Sequence, residues 1–202
     1  MFYKDIIKRL FDIVFASLLF IFLIPLIFLI GFINLIVNGK PILFKQDRPG
    51  YKGKIFNLLK FRTMNIKVKE LEDDNKRISR FGRWLRKNSL DELPSLLNII
   101  KGDMSFIGPR PLLTKYLSRY SKEQLKRHDV KPGLSGLAQI NGRNLLDWEE
   151  RLNYDIYYVE NQSFMLDFSI LIRTLVVTFN RKGISPKNSE IMPEFNPTDE
   201  KN

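Results

Sequence analysis

The stretch from Ile13 to Val37, IVFASLLFIFLIPLIFLIGFINLIV, runs for 25 residues without a charge. As a straight helix it would measure roughly 37 Å, enough to cross the hydrocarbon core of a bilayer. A helix on a soluble domain needs a polar face, and this run has none. A secretory signal fits poorly, because the apolar part is too long and no small-x-small cleavage site follows it. Two forms remain, a spanning helix kinked at Pro25 and a re-entrant hairpin. Pro25 lies mid-run, removes one backbone donor and crowds the carbonyl four residues back. Gly31 and Asn34 weaken the second half. Lys4, Lys8 and Arg9 precede the run, and Lys40, Lys45 and Arg48 follow it. Positive residues favour the cytoplasmic side. A span would translocate one of these clusters, whereas a hairpin that enters and leaves on the same side satisfies both. The expected unit over residues 1–38 is therefore a re-entrant helix-break-helix with its break at Pro25. Just before it, Arg9 and Asp12 of KRLFD stand i, i+3 and are expected to pair at the membrane edge.

The remaining sequence is polar and mixed, and residues 39–184 are expected to form one cytosolic catalytic domain. Ile42–Phe44 and Ile55–Leu59 read as strands around a Pro-Gly/Lys-Gly turn, hence a β-hairpin. Helices are expected in the charge-dense segment 65–88, over 111–130 and over 145–162, with a Gly-rich loop and short strand between the last two. In SFMLDFSILIRTLVVTF, Phe168, Leu171, Ile172, Leu175 and Phe179 share one helical face. That face suits an amphipathic helix at a membrane interface or a core helix equally. Residues 185–202 read as a loose tail. The fold class is α/β, mostly helical with a small sheet.

Composition narrows the chemistry. There is no cysteine and a single histidine, His128. Thiolate nucleophiles and cysteine- or multi-histidine-ligated metals are excluded, and a Ser-His-Asp triad would have to use His128. The net charge of +11 points to anionic partners such as phosphorylated substrates or anionic lipid. It would also suit a nucleic-acid binder, but the apolar run argues against one. Carboxylates, arginines, lysines and hydroxyls remain, a set fitted to phosphate and Mg²⁺.

Within SLDELPSLLNIIKGDMSFIGPRP, Asp91 and Glu92 are adjacent. Ser89-x-x-Glu92 matches the capping box that opens many helices. Pro94, however, would cost such a helix a hydrogen bond, so the acids fit a loop-to-helix junction better. Arg83 and Arg86 precede the pair, and Arg110 follows between two prolines that limit its backbone freedom. Arg143 sits in the Gly-containing NGRN. Arginine offers a planar fork for phosphate oxygens. An ionised aspartate can attack phosphorus. A helix N-terminus, Mg²⁺ and nearby arginines would each lower its pKa.

Taken together, KRLFD, the Pro25-broken run, FKQDRPG, KFRTM, the acidic-pair segment, KPGLSGLAQINGRN and DIYYVEN resemble the bacterial sugar transferase family, in particular its small monotopic phosphoglycosyl transferases. The similarity is greatest to the minimal enzyme that initiates bacterial N-linked protein glycosylation. The resemblance implies an inner-membrane enzyme facing the cytoplasm, with a re-entrant helix. It implies transfer of a phospho-sugar from a UDP-sugar to undecaprenyl phosphate with release of UMP, in a ping-pong reaction supported by Mg²⁺. Asp91 would be the nucleophile and a metal ligand. Glu92 would be its partner in proton handling or Mg²⁺ support. Arg86, Arg110 and Arg143 would hold phosphates or the nucleotide. Anionic lipids and either a second copy or downstream glycosyltransferases would be further partners, and nucleic acid would not. The family often carries Ser-Pro at the membrane break; Ile24-Pro25 here lacks that hydroxyl. A non-catalytic basic membrane scaffold that recruits glycosylation enzymes is the alternative.

Overall fold

In the computed structural model of the chain, residues 3–65, 77–142, 145–180 and 194–196 are described. A π-helical turn (Tyr3–Ile7) leads into α1 (Lys8–Asn38), which is helical without interruption through Pro25. The expected break into two helices is therefore absent. The proline removes one N–H while the adjoining turns keep theirs, which an apolar helix tolerates. Among the described residues α1 is the single helix long and apolar enough to cross a membrane by length and composition.

What α1 touches matters more than its length. Ala16 and Ile30 are buried, and Leu19, Phe20, Leu23, Leu26 and Ile27 pack beside them on the body of the protein. These spacings trace one helical stripe. The opposite stripe, with Leu18, Ile21, Phe22, Phe28, Leu29, Phe32 and Ile36, is exposed. Transferring seven such side chains out of water is favourable by on the order of 10 kcal/mol in total.

Both ends of α1 are tied to that same body. At the start, Arg9 donates to the carbonyls of Ile99 (2.7 Å) and Ile100 (2.8 Å), near the C-terminal end of a short helix, where backbone acceptors lack helical partners. Asp12 accepts from the Phe106 amide (3.0 Å) and the Ser105 hydroxyl (3.1 Å). The expected Arg9–Asp12 pair does not form, because each side chain finds a tertiary partner that satisfies it better than an exposed i, i+3 contact. Asp167 takes the Lys8 ammonium and the hydroxyls of Tyr3 and Tyr158, each at 2.6 Å. At the far end, buried Asn34 donates to the Ile42 carbonyl (3.0 Å), and Arg62 donates to the carbonyls of Asn38 and Gly39. Asn34, which as sequence only weakens an apolar helix, is the clasp that holds it.

The hairpin forms as expected but longer. Strands β1 (Leu43–Pro49) and β2 (Ile55–Phe61) pair antiparallel, with Leu43 opposite Phe61 and Pro49 opposite Ile55. Helix α2 (Arg80–Lys87) is capped by the Ser79 hydroxyl and crosses the chain just after β2. Only glycine permits that crossing, since a Cβ on Gly82 would lie 2.1 Å from the Thr63 carbonyl oxygen. A 3₁₀ turn (Leu90–Ser95) and helix α3 (Leu96–Lys101) follow. Strand β3 (Ser105–Ile107) pairs parallel with β4 (Gly133–Ser135). Between them, 111–130 is not one helix. It is a 3₁₀ turn, the four-residue α4 (Lys122–Leu125) and another 3₁₀ turn. The Ser121 capping box starts a fresh helix inside the expected one and divides it. Helices α5 (Leu137–Asn141), α6 (Trp148–Asn161, opened by an Asp147 capping box) and α7 (Phe164–Asn180) complete the body.

Helix α7 serves both readings of its apolar face. Ile170 is buried in the core and Leu171 packs against it, while Phe164, Met165, Phe168, Ile172, Leu175 and Val176 are exposed. Within the stretch expected to be a loose tail, Phe195 is fully buried against Tyr116, Tyr120, Leu152 and Trp148.

Candidate active site

The acidic pair sits on a turn shaped by its neighbours rather than by a helix cap. Ser89 is left-handed (φ 57°) and its hydroxyl caps nothing, so the Ser-x-x-Glu match does not act as a capping box. The turn is pinned to β2 instead. Ser95 donates to the Leu59 carbonyl (2.7 Å), and the Asn98 amide bridges Leu59 N (3.0 Å) and the Asn57 carbonyl (2.8 Å). With those bonds made, Asp91 and Glu92 face Lys60 of β2 and Arg110.

The two carboxylates have opposite surroundings. Glu92 Oε1 accepts from Lys60 Nζ (2.5 Å) and from Arg110 Nη2 (2.7 Å). Burial works to raise its pKa, but Arg110 and Lys60 outweigh it and hold Glu92 well below the usual carboxylate range. Asp91 is buried, and no hydrogen bond engages its carboxylate among the described residues. Burial, then the charge of Glu92, pushes its pKa up; Lys60, Arg86 and Arg110 only partly offset this. The nearby arginines lower the Asp91 pKa as expected, but burial and Glu92 outweigh them, because Glu92 has already taken up the nearest cations.

Arg110 is held through its backbone. The Gly133 amide donates to the carbonyl of Pro109 (2.9 Å), Arg127 to that of Arg110 (2.7 Å) and Arg48 to that of Pro111 (3.1 Å). Arg127 in turn forms a fully buried ion pair with Asp155 at 2.7 Å. Arg86 is anchored by its Nε on the Thr63 hydroxyl (2.8 Å).

These groups line a cavity of about 1300 Å³. Nine basic side chains, among them Arg48, Arg86, Arg110 and Arg151, face three acids, Asp91, Glu92 and Asp155. Arg48 and Arg151 are each lowered to about 10, by burial first and then by the positive charge of Arg110. Cations crowded enough to depress one another form a pre-organised anion site. The other part of the wall is apolar, with Leu19 of α1, Phe44 of β1, and Leu171 of α7.

Thus Asp91, Glu92, Arg86 and Arg110 come together in one cavity. Arg143 lies outside the described residues. Arg9, Asp12 and Pro25 belong to α1 and line no part of the cavity. His128 is buried against Tyr120, with its pKa lowered to about 4 by burial and by Arg127, and it also lines no part of it. Sequence reasoning missed Lys60, Arg127 and Asp155. Lys60 and Asp155 lie in KFRTM and DIYYVEN, whose roles only tertiary contacts assign, and Arg127 lies in neither. Among the described residues, no group of three or more acidic or histidine side chains could cage a metal. Mg²⁺ needs no such cage, since one or two carboxylates together with substrate phosphates and water suffice. The unengaged Asp91 carboxylate, facing a polyanion site, fits that requirement.

Comparison of the sequence with known proteins identifies a family. Residues 3–181 match the family described as bacterial sugar transferase. The chain belongs to the bacterial sugar transferase family. It is 47% identical over 194 residues to a Bacillus subtilis protein described as uncharacterized sugar transferase EpsL, covering 94% of this chain and 96% of that one. It is 38% identical over 184 residues to the UDP-glucose:undecaprenyl-phosphate glucose-1-phosphate transferase of Caulobacter vibrioides, covering 85% of this chain and 69% of the relative. It is 36% identical over 197 residues to the undecaprenyl-phosphate galactose phosphotransferase of Salmonella typhimurium, covering 88% of this chain. Several such relatives are longer, and the chain spans about two fifths of the Salmonella protein.

Proposed function

We propose that the protein is a polyprenyl-phosphate phosphoglycosyl transferase that moves a phospho-sugar from a UDP-sugar to undecaprenyl phosphate and releases UMP. The single observation that carries this reading is the open Asp91 carboxylate beside a saturated Glu92, inside a cavity with an arginine-rich wall and an apolar wall. The names of the longer relatives add support for the substrates.

The chemistry follows from the placement. A diphosphate held by Arg110 and Arg86 would bring its sugar-bearing phosphorus to Asp91. The carboxylate oxygen bonds to that phosphorus and the bridging oxygen leaves on UMP, giving a phospho-sugar aspartate. An oxygen of the lipid phosphate then attacks the same phosphorus, forms the diphosphate-linked lipid sugar and returns Asp91. Glu92 fixes Lys60 and Arg110 where charge builds on the leaving phosphate. Asp91 would ligate Mg²⁺, which when bound neutralises phosphate charge and favours the ionised carboxylate.

The membrane arrangement belongs to the same proposal. Helix α1 lies along the catalytic body with its outer apolar stripe facing the bilayer, so the chain is monotopic, and basic flanks at both ends favour the cytoplasmic face of the bacterial inner membrane. Support comes from hydrogen bonds that tie both ends of α1 to one body; a spanning helix would carry one end about 30 Å away. The exposed apolar face of α7 would lie in the same interface.

The test is UMP release from a panel of UDP-sugars with undecaprenyl phosphate and Mg²⁺. Lipid-dependent release by the wild type, lost in Asp91→Asn, is expected. Equal release by the variant would remove Asp91 as the nucleophile, and no release from any donor would favour the scaffold role.

A further inference from the structure

The C-terminal residues Glu194 and Phe195 fill a site built for them. Phe195 is fully buried, with its ring 5.2 Å from that of Trp148, 5.5 Å from Tyr120 and 5.7 Å from Tyr116. Glu194 pairs with Lys115 (2.5 Å) and Arg119 (3.1 Å) on the rim, and Arg119 also donates to the Phe195 carbonyl (2.5 Å). An aromatic cage with a basic rim selects an acidic-aromatic pair, combining ring packing with charge-assisted hydrogen bonds. The match to the family model ends at residue 181, so this pair lies beyond it. Thirteen residues separate Asn180 from Glu194, a reach of up to about 45 Å, which lets the same chain supply the occupant.

The cage abuts the arginine wall on its other faces. Tyr120 lies under the Arg127 guanidinium at 5.6 Å, and Arg127 holds the Arg110 carbonyl. Trp148 lies under Arg151 at 5.2 Å, and Arg151 lines the cavity. We propose that the Tyr116–Tyr120–Trp148 cage is a peptide-binding site for the chain's own Glu194-Phe195, and that its occupation braces Arg127 and Arg151 and hence the position of Arg110. Phe195 is thereby a positioning residue, and release of the tail loosens the anion site. The consequence for nucleotide binding rests on the transferase reading; the docking and the bracing do not.

The experiment uses the full chain in detergent with Trp84→Phe, which leaves Trp148 as the single tryptophan of the two in the sequence. Phe195→Ala is compared with its parent in three readouts: acrylamide quenching of Trp148, hydrogen exchange over residues 110–116, and affinity for UDP. Quenching and exchange should rise, and UDP affinity should fall about fivefold or more, the usual scale of coupling between sites. A synthetic peptide of residues 190–200 should restore all three, which a simple loss of folding would not allow. Glu194→Lys, which keeps the ring and opposes Lys115 and Arg119, should move each readout in the same direction by less. Unchanged quenching in Phe195→Ala overturns the docking, and raised quenching with unchanged exchange overturns the bracing. Quenching that depends on protein concentration overturns the intramolecular assignment in favour of a second copy. If the parent binds no UDP, the transferase reading fails separately, and exchange alone decides the bracing.

Discussion

Two carboxylate centres hold this protein together, and they are finished differently. At the anchor, Asp167 is filled by Lys8, Tyr3 and Tyr158, and Asp12 by Phe106 and Ser105. At the cavity, Glu92 is filled by Lys60 and Arg110, and its neighbour Asp91 is left open. A buried charge without partners costs several kcal/mol, so structural sites complete their partners. The open carboxylate is the exception, and it is the proposed nucleophile. Saturating Glu92 also keeps the nearest cations from neutralising Asp91.

Substitution separates the two centres. Asp91→Asn should lower UMP release by ~10³-fold or more, the scale for losing a nucleophile, and leave the melting temperature almost unchanged. Asp167→Asn should do the reverse. It leaves the Lys8 ammonium buried without its counter-charge and should cost about 3 kcal/mol, read as a lower melting temperature in detergent, with turnover per folded molecule preserved. Equal effects of both variants on activity and stability would erase the distinction.

The third test is pH. Burial and Glu92 raise the Asp91 pKa, and attack needs the ionised form. Activity should therefore fall as pH drops through a value above the usual 3.8. Glu92→Gln removes a repelling charge and frees Lys60 and Arg110 to favour the anion, so the acid limb of kcat/KM should move to lower pH even though the maximum rate drops. A limb that stays in place would detach the two residues. The smallest effect belongs to the exposed Lys52–Asp129 pair, where Lys52→Ala should leave both activity and melting temperature unchanged.

Local patterns carried much of the fold. The hairpin from Leu43 to Phe61, the Asp147-capped helix and α7 follow from periodicity, turn residues and caps. Segment 111–130 failed because an internal Ser121 cap outweighed the apolar spacing. The pairing of Arg9 with Asp12 failed because each found a partner some ninety residues away.

For the site, the sequence by itself determined the inventory. Without cysteine and with one histidine, carboxylates, arginines, lysines and hydroxyls were the groups left, and the Asp91-Glu92 and Pro-Arg-Pro segments offered the candidates that meet in the cavity. It also determined that the uncharged run from Ile13 to Val37 needs an apolar surrounding. Only the tertiary structure decided which acid stays open, that Lys60 closes the other, that Arg127 and Asp155 hold the Arg110 loop, and that both ends of α1 return to one body. The reason is physical. Periodicity and capping act over a few residues, whereas the pKa of a carboxylate and the fate of a buried charge are set by whatever packs within a few ångströms, however distant in the chain.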